Sequence, residues 1–413
     1  MQTNLASWVR DTEQGKEADE ILRRCVHCGF CQATCPTYQI LGDELDSPRG
    51  RIYLIKQVLE GQEPTRATQE HLDRCLTCRN CETTCPSGVE YGALIDIGRK
   101  IVDERVERPT EQKIKRAALR GLLNSPAFGP AMKAGRLVKG FLPDALKAKL
   151  PDVRPAGDVP AQAATHARQV IMLSGCVQPS MMPSIDAATR RVLHAVGIGT
   201  RVVTGSGCCG AINFHLDAQE AGLKQMRANI DAWLPLLESG AAEAVVMNAS
   251  GCGGMVKEYA HHLRHDPVYG SKAQRLVAYV KDISELLAPL ADTLRERIGP
   301  LPDSVAFHPP CTLQHWQGLR ALNEKLLAQL GFVLKPFNES HLCCGSAGTY
   351  SVTQPELSAK LRERKLGHIA QAQVSCIVSS NIGCIGHLQA GSSVPVRHWI
   401  EVVDEALIPG FRG

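Results

Sequence analysis

Eight cysteines near the amino end fall into two runs of one spacing, Cys25-x2-Cys28-x2-Cys31-x3-Cys35-Pro36 and Cys75-x2-Cys78-x2-Cys81-x3-Cys85-Pro86. Three thiolates at this pitch let one loop wrap three corners of a 4Fe-4S cube, while the fourth, beside a turn-forming proline, reaches the neighbouring cube. Zinc is the alternative, since paired cysteines also build tetrahedral sites, but a zinc ribbon has no use for the third and fourth cysteine or for the repetition. Crossed ligation then assigns Cys25, Cys28, Cys31 and Cys85 to one 4Fe-4S cluster and Cys75, Cys78, Cys81 and Cys35 to a second. Neither run can fold around its metal without the other.

A second set of thiols is also repeated. Cys176 is followed after 31 residues by Cys208-Cys209-Gly210, and Cys311 after 31 residues by Cys343-Cys344-Gly345. Asn248-Ala-Ser-Gly-Cys252 closes the first copy and Ser380-Asn-Ile-Gly-Cys384 the second. Adjacent cysteines rarely bond each other, whereas both can face one metal if the glycine after them lets the backbone turn. Cys176, Cys208, Cys209 and Cys252 are one candidate site; Cys311, Cys343, Cys344 and Cys384 are the other. Either suits a further iron–sulfur cluster or zinc. His308 and His315 flank Cys311 and can join or orient that site, whereas Cys376 has no counterpart and reads as a buried structural thiol. His27, Arg79 and Glu82 lie inside the cluster loops, where fixed charge shifts reduction potential, and Arg49 and Arg51 read as packing or pairing nearby.

The elements that position these thiols change character along the chain. Helices fit KEADEILRR before Cys25, the segment after Ser47-Pro48 with Ile52, Ile55, Val58 and Leu59 on one face, and GALIDIGRKIVDER after Cys85. Residues 1–105 are therefore expected to form a helix-rich ferredoxin domain. A basic helical segment and a Pro- and Ala-rich linker, Leu150–Gln169, fill residues 106–168. Beyond them VIML at 170–173, RVV at 201–203, AVVM at 244–247, SVAF at 304–307, FVLK at 332–335 and CIVSS at 376–380 read as strands between helices. The fold class is thus α+β multidomain, closing with an α/β domain of two pseudo-symmetric CCG repeats, residues 169–300 and 301–413. Its thiols are expected at strand C-terminal ends.

Seventeen cysteines, an odd number at metal-ligand spacing, fit a reducing cytoplasm better than a disulfide framework. No apolar run approaches the roughly 18 residues of a membrane span, and the first 20 residues lack the apolar centre of a signal peptide. The net charge is only +4, yet between Arg99 and Lys149 thirteen Lys or Arg face five Asp or Glu, so the rest of the chain is net acidic. That segment reads as a solvated helical face or as a surface for anionic lipid or a partner. No basic aromatic groove points to nucleic acid. No GxGxxG, P-loop or nucleophile–base pair stands in a credible context, so no catalytic or flavin-binding residue is assigned to this chain.

CVHCGFCQATCPTYQILGDELDSPRGRIYLIKQVLEG, HLDRCLTCRNCETTCPSG, HLCCGSAGTY and VRHWIEVVDEAL resemble the family of iron–sulfur subunits of flavin-linked dehydrogenases, that of glycolate oxidase above all, which also includes heterodisulfide reductase subunits. The resemblance covers nearly the whole chain and is weakest through residues 121–168. It implies a complex in which two flavoprotein-like subunits oxidise glycolate to glyoxylate and this chain passes the electrons to a membrane quinone or similar acceptor. It also implies a peripheral place on the cytoplasmic face of the inner membrane, and no activity for this chain alone. In the heterodisulfide reductase relatives each repeat closes with Cys-x2-Cys, where this chain has Met255 and His387. Met255 reads as core packing and His387 as a candidate ligand of the second site. Thiol–disulfide catalysis at the repeats is the weaker alternative; lactate or glycerol 3-phosphate in place of glycolate is the other.

Overall fold

The computed structural model describes residues 1–141, 154–159 and 166–411. Half of the expected linker, and the end of the basic segment after Phe141, lie outside the described residues. The chain forms two compact bodies, Met1–Ala118 with His341–Lys365, and Leu119–Ser340 with Leu366–Gly413. The sequence repeat had assigned residues 341–365 to the second CCG copy alone; by packing they belong with the amino-terminal body.

The first body is built from helices, as their end signals dictate. Ser47 accepts the Gly50 N–H at 3.0 Å and Pro48 opens the helix Pro48–Leu59, which buries Ile52, Ile55, Val58 and Leu59. It packs on the helix Tyr91–Arg105 at Gly98, where a Cβ would stand 2.6 Å from Ile55 Cδ1. Thr12 caps the helix Glu13–Arg24, whose Ala18, Ile21 and Leu22 complete one apolar core together with Leu94 and Ile95. That helix ends at Cys25, and the helix Arg66–Asp73 ends two residues before Cys75. Both thiol loops therefore leave from the C-terminal end of a helix anchored in the core.

The second body holds two parallel sheets. The strands are β1 (Arg168–Met172), β2 (Ile198–Arg201), β3 (Ala244–Met247), β4 (Val280–Asp282), β5 (Val305–His308), β6 (Cys376–Ser379) and β7 (Val396–His398). Their orders are β2-β1-β3-β4 and β5-β6-β7. β3, β5 and β6 are buried along their whole length, as parallel strands covered on both faces must be. The repeats correspond strand for strand: β1 with β5, β3 with β6, β4 with β7. The helix Pro183–Ala195 after β1 packs on Trp399–Glu405 after β7, and Arg320–Gln329 after β5 packs on Ile283–Leu287 after β4, the reciprocal contacts of a pseudo-dyad.

Two strand expectations are corrected. The strand placed at 201–203 is β2, three residues earlier, and Val202 beyond it is half-exposed. FVLK at 332–335 forms no strand; it makes one bridge, Leu334 to Val305, at the place β2 holds in the first repeat. No helix among the described residues is long and apolar enough to cross a membrane.

Candidate metal centres

The two cluster loops share one backbone plan. Left-handed conformations fall at His27 and Gly29 in the first (φ 56° and 84°) and at the matching Thr77 and Arg79 in the second (φ 52° and 59°). Such a conformation costs a residue with a Cβ about 1–2 kcal/mol, and it turns backbone N–H groups toward the concave side, where thiolate is welcome. One-turn helices, Phe30–Ala33 and Asn80–Thr83, then carry Cys31 and Cys81, and Pro36 opens the helix Pro36–Leu41 immediately after Cys35.

Two hollows result. Cys25, Cys28, Cys31 and Cys85 line one; Cys35, Cys75, Cys78 and Cys81 line another. The second takes three cysteines from one loop and one from the other; the first takes three from its own loop and Cys85, with Cys81 at its border. Pro48, Cys81 and Tyr91 border both. As free thiols, four of these groups resist ionisation. Burial pushes Cys25 up, with the Cys85 and Cys28 sulfurs adding to it; burial takes Cys31 to about 11, and Cys35 and Cys81 rise for the same reason. Converging soft donors are the set a cationic iron–sulfur core requires, and loading it would release protons from the thiols that burial holds neutral.

The surroundings of the hollows differ. At the first, Cys28 is exposed, as are Val26 and Phe30, and Arg49 is held by Glu44 at 2.8 Å. At the second, Tyr91 Oη donates to Cys75 Sγ at 3.6 Å, the Thr77 N–H reaches the same sulfur at 3.4 Å, and Thr37 Oγ1 lies 3.3 Å from Cys35 Sγ. Arg51, 1% exposed, pairs with the equally buried Asp46 at 3.2 Å, and Arg74 takes the other Asp46 oxygen at 3.1 Å. No spacing rule points to Tyr91, Thr37 or Asp46, whose roles come from tertiary packing.

The Cys343-Cys344-Gly345 loop belongs to this same body. Both thiols are buried, and the Gly345 N–H donates to Cys343 Sγ at 3.4 Å. Ser358 Oγ donates to the Gly345 carbonyl at 2.7 Å. Tyr350 Oη donates to the Arg74 carbonyl at 2.9 Å, and Asn80 Nδ2 to the His341 carbonyl at 3.3 Å, so the loop rests against the second cluster loop.

In the second body, the first repeat brings its thiols together. Cys176 and Cys208 Sγ lie 3.4 Å apart; the shared hydrogen bond holds Cys208 low and Cys176 high. Cys209 is buried, and its hydrogen bonds with Cys208 and Cys252 push it well up. Asn229 and Tyr259 brace this turn from behind: Asn229 Nδ2 donates to the Cys208 carbonyl at 3.0 Å and Tyr259 Oη to the Cys209 carbonyl at 2.8 Å. No spacing rule points to either: Asn229 lies inside the helix Gln219–Glu238 and Tyr259 opens the short helix Tyr259–His262. Met255 is fully buried in the hydrophobic core.

For the second repeat, Cys311 is buried just past β5 and opens the π-helical turn Thr312–Trp316, which includes His315. Cys384 is half-buried in the first turn of Ile382–Gln389, with His387 one turn on. A ring nitrogen of the fully buried His308 lies within 4.8 Å of Cys384 Sγ. Cys376 is buried at the start of β6. In both repeats the closing cysteine follows a strand end by five residues, Met247 to Cys252 and Ser379 to Cys384.

Comparison with known proteins finds two kinds of domain in the chain. Residues 21–89 match the model of a 4Fe-4S dicluster domain, and residues 170–257 and 305–389 each match a cysteine-rich (CCG) domain. The chain is 51% identical to the glycolate oxidase iron-sulfur subunit of Escherichia coli (strain K12), over 98% of this chain and 99% of the relative. It is 31% identical to the probable glycolate oxidase iron-sulfur subunit of Bacillus subtilis (strain 168), over 90% and 89%. Lactate utilization protein A of Geobacillus thermodenitrificans (strain NG80-2) is 27% identical over 57% of this chain and 98% of its own length.

Proposed function

This chain belongs to the family of glycolate oxidase iron–sulfur subunits, and from that premise we propose that it is the electron-carrying subunit of a flavin-dependent dehydrogenase complex acting on glycolate. The observation that supports this most is the pair of adjoining hollows, each lined by three cysteines of one loop and reached by cysteine from the other. Cys25, Cys28, Cys31 and Cys85 would hold one 4Fe-4S cluster, and Cys75, Cys78, Cys81 and Cys35 the other. Clusters bound there would supply one-electron carriers that accept in turn the two electrons a reduced flavin releases.

The protein's own part is to fix spacing and exclude water. The two loops set the sulfurs, the helices behind them keep the loops from opening, and the exposed rim at Val26, Cys28 and Phe30 is the side on which two flavoprotein-like partners would deliver electrons. Cys176, Cys208, Cys209 and Cys252 would hold a further metal centre. By the repeat in the sequence, Cys311, Cys343, Cys344 and Cys384 would hold its counterpart, with His308 beside Cys384 a stronger candidate ligand than His387. With Met255 committed to the core, the first repeat lacks a fifth thiolate, which argues against disulfide-cleaving chemistry there. The acceptor would be a quinone, reached from the cytoplasmic face of the membrane.

Anaerobic purification with iron, sulfide and zinc quantified, followed by EPR, tests the reading. Two interacting 4Fe-4S signals are expected. A colourless chain holding stoichiometric zinc would refute it. Substituting Cys343 and Cys344 by Ser in the assembled complex should leave dye-linked glycolate oxidation intact and abolish quinone reduction; a purified chain that cleaves disulfides unaided would favour the catalytic alternative.

A further inference from the structure

We propose that Tyr91, with the arginines buried around it, makes the centre of Cys35, Cys75, Cys78 and Cys81 the electron sink of the pair, so that charge runs from the first hollow to the second and on toward the Cys343–Cys344 loop. The inference rests on reading both hollows as 4Fe-4S sites and adds an order to them.

Adding an electron makes a thiolate-bound cluster one charge more negative, so hydrogen-bond donors and cations directed at its sulfurs stabilise the reduced state and raise its potential. Tyr91 supplies such a donor at Cys75 Sγ, 3.6 Å away, and the Thr77 N–H a second at 3.4 Å. Thr37 Oγ1, 3.3 Å from Cys35 Sγ, accepts from Arg51 Nη1 at 3.2 Å and donates to the Asp46 carbonyl at 3.0 Å, so what it brings to that sulfur is a hydroxyl dipole fixed by a buried cation. Arg99 braces the loop from below, donating to Thr77 Oγ1 at 2.9 Å and to the Cys75 carbonyl at 2.6 Å.

Burial acts in the opposite sense, because a low-dielectric surround disfavours the more negative state. At the second hollow, however, Arg51 is buried along with the sulfurs, so it is barely screened; Asp46 offsets part of the charge that Arg51 and Arg74 bring. At the first hollow the cations are weakened instead. Arg49, a third exposed, is held by Glu44, and the Met1 amino group on the Cys25 carbonyl is only partly buried. Water and counter-charge screen both.

The step balances simply: one electron leaves the first centre, which is oxidised, and reduces the second, with no bond made or proton moved. Beyond it, the Tyr350–Arg74 hydrogen bond sets the vicinal thiols against the loop whose centre would receive the electron from the first.

EPR-monitored redox titration of the full chain in its complex, purified without oxygen, tests the order. Tyr91→Phe keeps the ring and removes the donor. It should lower the more positive midpoint until the electron's partition between the centres shifts by about tenfold, about 59 mV for a one-electron couple, with the other midpoint unmoved. Thr37→Val should shift the same midpoint the same way, and Thr37→Ser should restore it. A shift of the more negative midpoint, or none from either variant at wild-type iron content, overturns the order. A chain with no pair of cluster signals overturns the two-cluster reading itself.

Discussion

Tyr350 and Arg74, 276 residues apart in sequence, are joined by the tyrosine hydroxyl donating to the arginine carbonyl at 2.9 Å. Arg74 immediately precedes Cys75, and Tyr350 lies six residues past Cys344, so the bond ties a vicinal-thiol loop to the start of a cluster loop. A buried phenol is a stiff strut, since burial pushes its ionisation far up and leaves it a donor at any working pH.

Tyr350→Phe should therefore cost about 0.5–1.5 kcal/mol, the net worth of one neutral hydrogen bond, and loosen residues 341–353 without unfolding the body. Deuterium uptake there should rise, and terminal-acceptor reduction should fall more than dye reduction does. Equal loss with both acceptors would mean the bond serves general stability alone.

Arg51 points three ways at once: Nε to the His71 carbonyl at 2.7 Å, Nη1 to Thr37 Oγ1 at 3.2 Å and Nη2 to Asp46 Oδ1 at 3.2 Å. A lysine ammonium cannot reproduce that fork. Arg51→Lys should cost about 2 kcal/mol or more. Asp46→Asn, which leaves a buried guanidinium uncompensated, should cost about 3–5 kcal/mol. Iron retained per chain after gel filtration, with the thermal midpoint, checks both; full iron and unchanged melting in Asp46→Asn would show that the Arg51 guanidinium does not depend on the Asp46 charge.

The cluster loops were legible in the sequence because their chemistry is local: three thiols within seven residues admit few other uses. β1, β3, β5 and β6 were legible as apolar runs, at or within a residue or two of the bounds observed. β4 and β7 were not. They are three residues each, with an exposed or half-exposed residue in the middle, and their pairing partners rather than their composition make them strands. FVLK failed for the converse reason, since strand-forming residues with Val333 half-exposed need a neighbour along their whole length, and only Leu334 has one. Tyr91, Asn229 and Tyr259 are single donors whose targets are fixed by tertiary packing, which leaves no periodic trace. The allegiance of residues 341–365 to the amino-terminal body could not be read from the repeat, which marks their ancestry and not their packing.

Asp282 and His398 hold matching posts, each capping the helix after the last strand of its repeat. The Ser284 N–H reaches Asp282 Oδ1 at 2.9 Å and the Ile400 N–H reaches His398 Nδ1 at 3.1 Å. Burial pushes His398 down to about 4 and Asp282 up to about 6. The signs oppose. The unfolded imidazole binds its proton first as pH falls, so the His398 contribution is complete above about 6.5 and is lost toward 4; the unfolded carboxyl ionises first as pH rises, so the Asp282 contribution is complete below about 3.8 and is lost toward 6. Each is worth about 3 kcal/mol, and they largely cancel between pH 4 and 6. His398→Asn keeps a cap and removes one side, so this variant should gain stability on acidification from pH 6 to 4 while the parent changes little. Parallel melting curves for the two chains across that range would exclude His398 as a titrating group.

The glycines that follow the vicinal cysteines give a graded test of the turn. Gly210 and Gly345 are both left-handed, at φ 94° and 90°. A Cβ on Gly210 would stand 2.9 Å from the Gly222 carbonyl oxygen; on Gly345 it would stand 2.5 Å from that of Ser358. Gly88, also left-handed at φ 61°, has nothing within 4 Å of the same position. Gly88→Ala should thus lose only the backbone term of about 1–2 kcal/mol. Gly345→Ala, in the same body, should lose distinctly more, because a backbone carbonyl cannot swing aside as a side chain can. Its thiols should also react faster with a maleimide as the loop is forced open. Denaturant midpoints for the two variants decide it: equal losses would mean that the Ser358 turn yields, and that the close approach of residues 345 and 358 does not hold the vicinal thiols in place.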